Sequence, residues 1–179
     1  MSRPPPTVHA SSSADSIAAT CEAHGLTREQ FAALREQASA AKSTAYCPYS
    51  RFRVGAALLG DDGSVTTGAN VENASYPVGT CAERVALGKA VTDRGLRAFK
   101  AVAVATDVAP PASPCGMCRQ FIREFCRLDM PVIMFDKDEN FVVLTLEELL
   151  PLSFGPEKLA LDGDCGHDFL REILYDNAH

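Results

Sequence analysis

Two short segments of this 179-residue chain carry the residue types that metal chemistry needs. One is Cys81-Ala82-Glu83; the other is Pro114-Cys115-Gly116-Met117-Cys118. A catalytic zinc takes three protein ligands and keeps a fourth position for water. Cys81, Cys115 and Cys118 supply three thiols, and Glu83 is a carboxylate beside them that need not be a ligand. Each segment is predicted to open a helix. A helix N-terminus favours thiolate over thiol through its partial positive charge and free amide donors. Two such ends facing one another would make a metal pocket. Each part also has an ordinary explanation. Cys-x-x-Cys serves structural zinc and redox pairs, Cys81 alone suits a small buried apolar position, and Thr80 with Glu83 has capping-box spacing. The combination, not any one part, points to zinc-assisted catalysis.

The elements that must position these residues follow from hydrophobic pattern and turn chemistry. Thr27 and Gln30 form a capping-box pair opening a helix, with Phe31, Leu34 and Ala38 on one face. After the turn Tyr46-Cys47-Pro48-Tyr49-Ser50, Phe52 to Leu59 reads as a first strand. Asp61-Asp62-Gly63 is a hairpin signal, and Val65 to Val71 is its partner. A second helix runs from Thr80 to about Thr92, closed by Gly95. Phe99 to Thr106 is a buried strand. Pro114 begins a third helix reaching about Leu128. Met130 to Phe135 and Phe141 to Leu144 are strands, and Leu146 to Leu150 is a short helix stopped by Pro151. This order suggests an α/β fold: a mixed five-stranded sheet with helices on its faces. Residues 1–25, rich in Pro, Ser and Ala, read as a flexible N-terminal tail, and 26–158 as the folded domain. Residues 159–179 form a polar C-terminal extension in which Phe169, Ile173 and Leu174 could make one docking helix.

Composition narrows the function classes. A net charge of −6 opposes binding to a nucleic-acid backbone, which needs a basic surface. No apolar run approaches the roughly 20 residues that span a bilayer, and Met1 to Pro6 lack the apolar stretch of a secretory signal. A cytoplasmic, reducing location is therefore expected. There, the 7 cysteines are poor candidates for a disulfide framework, their number being odd. Cys126 is expected in the core, Cys21 in the tail and Cys47 in a turn. Cys165 and His167, in the polar extension, are left outside the metal site.

Cys-x-Glu followed by Pro-Cys-x-x-Cys matches the zinc-deaminase signature in its three-cysteine form. From about Lys42 to Lys158 the chain resembles the homotetrameric cytidine deaminase family. The similarity includes Tyr46 to Ala57, Asn70-Val71-Glu72-Asn73-Ala74-Ser75-Tyr76-Pro77, Ser113 to Gln120, and Leu149 to Pro156. It implies a three-layer αβα sandwich, a Zn2+ cofactor held by Cys81, Cys115 and Cys118, and Glu83 as the catalytic proton carrier. By the same resemblance, Asn70 and Glu72 bind the ribose, Phe52 stacks on the base, and Ala74 and Tyr76 line the pocket. Phe154 approaches from an adjacent subunit of a homotetramer, where Tyr49 is an interface contact. Arg84 is placed on the ligand sulfurs, where it would offset the charge of three thiolates. The implied reaction is hydrolytic deamination of free cytidine and deoxycytidine to uridine, deoxyuridine and ammonia, in pyrimidine salvage. Arg53 stands where the family often has Pro.

Two alternatives remain at this stage. A blasticidin S-type deaminase shares the zinc motifs but should lack the Asn-x-Glu-Asn-Ala and Ser-Phe-Gly-Pro segments, both present here. A non-enzymatic structural zinc module would need a fourth ligand, for which Cys47, Cys165 or His167 could serve.

Overall fold

The computed structural model describes residues 5–159. Strand alternation explains its layers. In β1 (Val54–Gly60), Ala56 and Leu58 enter one core while Ala57 and Leu59 enter another. β3 (Phe99–Thr106) divides likewise, Val102 and Val104 against Ala101, Ala103 and Ala105. So does β4 (Pro131–Phe135), with Val132 and Met134 opposite Ile133 and Phe135. A strand that is apolar on both faces must be covered on both. With β2 (Val65–Ala69) and β5 (Phe141–Thr145) the sheet has the order β2-β1-β3-β4-β5. Only β3 and β4 pair in parallel. The expected mixed five-stranded sheet with helices on both sides is what the chain forms.

One side is covered by α1 (Ala14–His24) and α2 (Arg28–Ala41), through Cys21, Phe31, Leu34 and Ala38. The Thr27–Gln30 capping box of α2 is present in both directions, at 2.9 and 3.1 Å. The other side is covered by α3 (Ala82–Arg94), α4 (Gly116–Arg123) and the short α5 (Leu146–Leu149). α3 lies directly on β2: a Cβ on Gly68 would overlap the backbone of Ala82 and Ala86. Gly95 ends α3 at φ +68°, a conformation glycine adopts without strain.

Three expectations need correction. Residues 5–25 do not form a flexible tail. Ser13 caps α1 by accepting from the Ser16 amide at 3.2 Å, Gly25 closes it at φ +63°, and Cys21 is buried. His9 exchanges two backbone hydrogen bonds with Phe141 and stacks on its ring. The apolar content of this segment is low, but the exposed edge of β5 and the face of α2 give it a surface to complete. α4 ends at Arg123 rather than Leu128, because the chain turns there toward β4. α3 starts at Ala82, with Cys81 rather than Thr80 as its N-cap, so Glu83 is not a capping-box residue. The suggested docking helix, with Cys165 and His167, lies outside the described residues.

Candidate metal centre and its pocket

The two cysteine segments meet at the C-terminal end of β3. Cys81 is the N-cap of α3 and Cys115 the N-cap of α4, with Cys118 in the first turn of α4. Neither N-cap makes a side-chain capping bond, so both sulfurs are free to face one another. The Cys81 and Cys115 sulfurs are 3.9 Å apart, those of Cys115 and Cys118 3.6 Å, and all three lie within 4.8 Å of one another. These separations suit ligands arranged about a single ion. Among the described residues no other cluster could hold a metal, and Cys47 is not part of this one. A soft, three-thiol donor set of this kind fits zinc.

The charges at the site reflect its packing. Cys81 is held well below the ordinary thiol range, first by a hydrogen bond from Cys118 and, against the cost of burial, by Arg84 and Cys115. The same bond to Cys81, with burial, pushes Cys118 upward. Arg84 also donates to the Gly79 carbonyl at 3.1 Å, while its Nε, buried, has no oxygen or nitrogen partner. Glu83, 3% exposed, is raised chiefly by burial and further by the nearby Cys81 charge. Its Oε2 is buried without a partner. A buried carboxyl with one oxygen left unpartnered is equipped to take up and release a proton.

Next to the thiols is a cavity of about 520 Å³, whose lining includes Phe52, Asn70, Glu72, Tyr76, Cys81, Glu83, Thr106 and Cys115. Four of the six side chains named from the sequence as substrate-binding are therefore brought together: Phe52, Asn70, Glu72 and Tyr76. Ala74 is not in that lining; it is exposed on the loop between Glu72 and Tyr76. Phe154, 58% exposed, is also outside the lining of its own chain's cavity. A mixed pocket of aromatic and hydrogen-bonding groups beside a metal centre can hold a small polar ring compound.

The profile of the cytidine and deoxycytidylate deaminase zinc-binding region matches residues 28–134, including all three thiols and Glu83. The chain belongs to this deaminase family. It is 49% identical over 120 residues to a cytidine deaminase of Sporosarcina psychrophila, covering 67% of this chain and 88% of the relative. With that of Halalkalibacterium halodurans it shares 48% over 126 residues, 70% of this chain and 95% of the relative. Among solved structures, the cytidine deaminase of Burkholderia pseudomallei aligns with a TM-score of 0.66 at 44% identity, covering 69% and 98% of the two chains.

The structure adds partners to this deaminase-family site that the residue pattern did not reveal. Asn70 accepts from the Val54 amide and donates to the Phe52 carbonyl, both at 2.8 Å. Glu72 accepts from the Tyr49 and Ser50 amides at 2.9 and 3.2 Å and from the Ser50 hydroxyl. Both therefore pin the turn that carries Phe52. The Ser50 hydroxyl is the main reason the Glu72 carboxyl sits below its usual range.

A second set lies on α4 beyond the thiols. Arg119 donates to the Pro114 and Leu149 carbonyls, both at 2.7 Å, and Gln120 to the Phe154 carbonyl at 2.9 Å. Arg123, 3% exposed, donates to the Ser153 hydroxyl and pairs with Glu157. A Cβ on Gly155 would overlap the Arg123 guanidinium. The helix that carries two thiols thus also fastens the Phe154 loop. The only sequence signal was the four-residue spacing of Arg119 and Arg123, which ordinarily marks a solvated helix face.

Proposed function

We propose that this protein catalyses the hydrolytic deamination of cytidine and deoxycytidine, releasing ammonia and leaving uridine and deoxyuridine, in pyrimidine salvage. The observation that carries this is the buried Glu83 carboxyl, one oxygen of it without a partner, on the wall of a cavity that also holds the Cys81 and Cys115 thiols. Bound at Cys81, Cys115 and Cys118, zinc supplies Lewis-acid activation of water. Glu83 accepts the proton that water gives up, delivers one to ring N3, and later helps protonate the departing amine. Burial, which raises the Glu83 carboxyl above its ordinary value, favours its holding a proton. Arg84, against the Cys81 sulfur, offsets the negative charge of three thiolates. Phe52 and Tyr76 supply faces for the base. Asn70 and Glu72 each retain acceptor capacity beyond their bonds to the turn, which suits them to the ribose hydroxyls.

Self-association as a homotetramer belongs to the same proposal. Phe154 and a fully exposed Leu152 project from one loop, while Tyr46, Tyr49, Val71, Tyr76 and Val78 are exposed near the pocket. Apolar surface of this extent is costly to leave in water and suits contact with other copies of the chain. Phe154 would then close a neighbour's pocket. All six described cysteines are free, which supports a reducing, cytoplasmic location. No described helix is long and apolar enough to cross a membrane.

An assay of the zinc-loaded protein with cytidine, deoxycytidine and blasticidin S, on fractions sized by light scattering, tests the proposal. Turnover of the two nucleosides by a tetramer, weakened at least about tenfold in kcat/KM by Phe154→Ala, is expected. Turnover of blasticidin S alone would sink the substrate assignment, and a fully active monomer the shared pocket.

A further inference from the structure

Among the described residues, four buried side-chain atoms have no hydrogen-bond partner: Glu83 Oε2, Arg84 Nε, Thr106 Oγ1 and Glu157 Oε2. Glu83 and Arg84 belong to the metal centre, and Glu157 pairs with Arg123 through its other oxygen. Thr106 has no such account. Its residue is 2% exposed, and it lines the same cavity as Glu83 and Cys115.

Its placement follows from strand parity. Thr106 is the last residue of β3, in step with Val102 and Val104, which face α3 and α4. Its backbone is held in place: Lys42 donates to the Thr106 carbonyl at 3.3 Å and grips Asp107 at 3.1 Å, and Arg53 holds Asp107 at 2.7 Å. A hydroxyl buried without a partner costs stability. Valine would fill nearly the same volume in a strand without that cost. The cost is offset only if something in the pocket completes the bond.

We propose that Thr106 is a ligand-contacting residue whose hydroxyl hydrogen-bonds the polar edge of the bound nucleobase, the edge where an amine is exchanged for a carbonyl. This rests on the deamination proposed above. Converting a cytosine to a uracil replaces a hydrogen-bond donor at C4 by an acceptor, and an acceptor at N3 by a donor. A hydroxyl can rotate to donate or accept, so it serves both substrate and product. An ammonium or carboxylate at this point would favour one of them only.

The test uses zinc-loaded parent, Thr106→Val and Thr106→Ser, with kcat/KM for cytidine, the melting temperature of the ligand-free protein, and the shift in that temperature produced by uridine. Thr106→Val should melt no lower than the parent, lose roughly tenfold in kcat/KM, and show a smaller uridine shift. Thr106→Ser should keep both kinetics and shift within about threefold. Unchanged kinetics and uridine shift in Thr106→Val, beside an active parent, would overturn this inference alone. So would a lowered melting temperature in Thr106→Val with turnover and uridine shift intact, since the hydroxyl would then be structural. A parent that does not turn over cytidine would sink the activity proposal, and this inference with it.

Discussion

The two faces of the sheet are built to different ends. On the α1–α2 side, Phe31, Phe135 and Phe141 meet ring to ring with centroids 5.1 to 6.1 Å apart, and Leu34 and Ala38 are fully buried beside them. On the α3–α4 side the contacts near the C-terminal end of β3 are Ala82, Ala86 and Val104, with thiols, a buried carboxyl and a buried hydroxyl among them. Three of the four partnerless buried atoms are at that end: Glu83 Oε2, Arg84 Nε and Thr106 Oγ1. Both faces supply cohesion, and the second also carries unpaired polar groups that chemistry can use. Sites that leave polar groups unpaired reduce stability, so the rest of the fold must supply it.

The sharpest test of that division is Glu83→Gln. Turnover should fall by about 10²–10⁴-fold, the range for losing a positioned acid–base group, while zinc content and fold are kept. Comparable turnover at matched zinc content would remove Glu83 from the chemistry and blur the contrast. The opposite face predicts the opposite result. Phe31→Ala should lower the free energy of unfolding by about 3–5 kcal/mol, read as a shifted urea midpoint, yet leave kcat/KM of the folded fraction unchanged. A kinetic defect without a stability defect would mean that the two faces are coupled.

The smallest effect is expected at the rim between them. Asp107 follows β3 and lies between Lys42 at 3.1 Å and Arg53 at 2.7 Å. Burial pushes its carboxyl up, but the two cations outweigh that and hold it below the ordinary value of 3.8. A depressed carboxylate contributes stability that is full above the unfolded value and is lost as pH falls through the folded one. Asp107→Asn should therefore cost no more than about 1 kcal/mol at neutral pH, given its partial exposure. Denaturation midpoints measured down to pH 2 should show parent and variant converging; a gap that persists there would mean that the charge is not what matters.

Much of this could be read in advance where the signal is local. The β3 span, Phe99–Thr106, and the capping box at Thr27 need only their own neighbours in the chain. The thiols and Glu83 were legible because zinc chemistry demands rare residue types at short spacing. α1 was missed for a physical reason. Its few apolar residues are too sparse to announce a helix, and its stability comes from α2 and from the pairing of His9 with Phe141. The Arg123–Glu157 pair, 34 residues apart, leaves no pattern in the chain that joins it to the Phe154 loop.

Sequence alone singled out the three cysteines that could hold a metal and proposed Glu83 beside them as proton carrier, since those readings depend on residue chemistry and on two helix starts. Only the tertiary structure decided that Glu83 is buried with one oxygen unpartnered and that Asn70 and Glu72 hold the Phe52 turn. It alone placed Thr106 with an unpaired hydroxyl on the pocket wall. Whether a polar atom is buried, paired or free depends on what distant segments bring beside it, and residue type does not encode that.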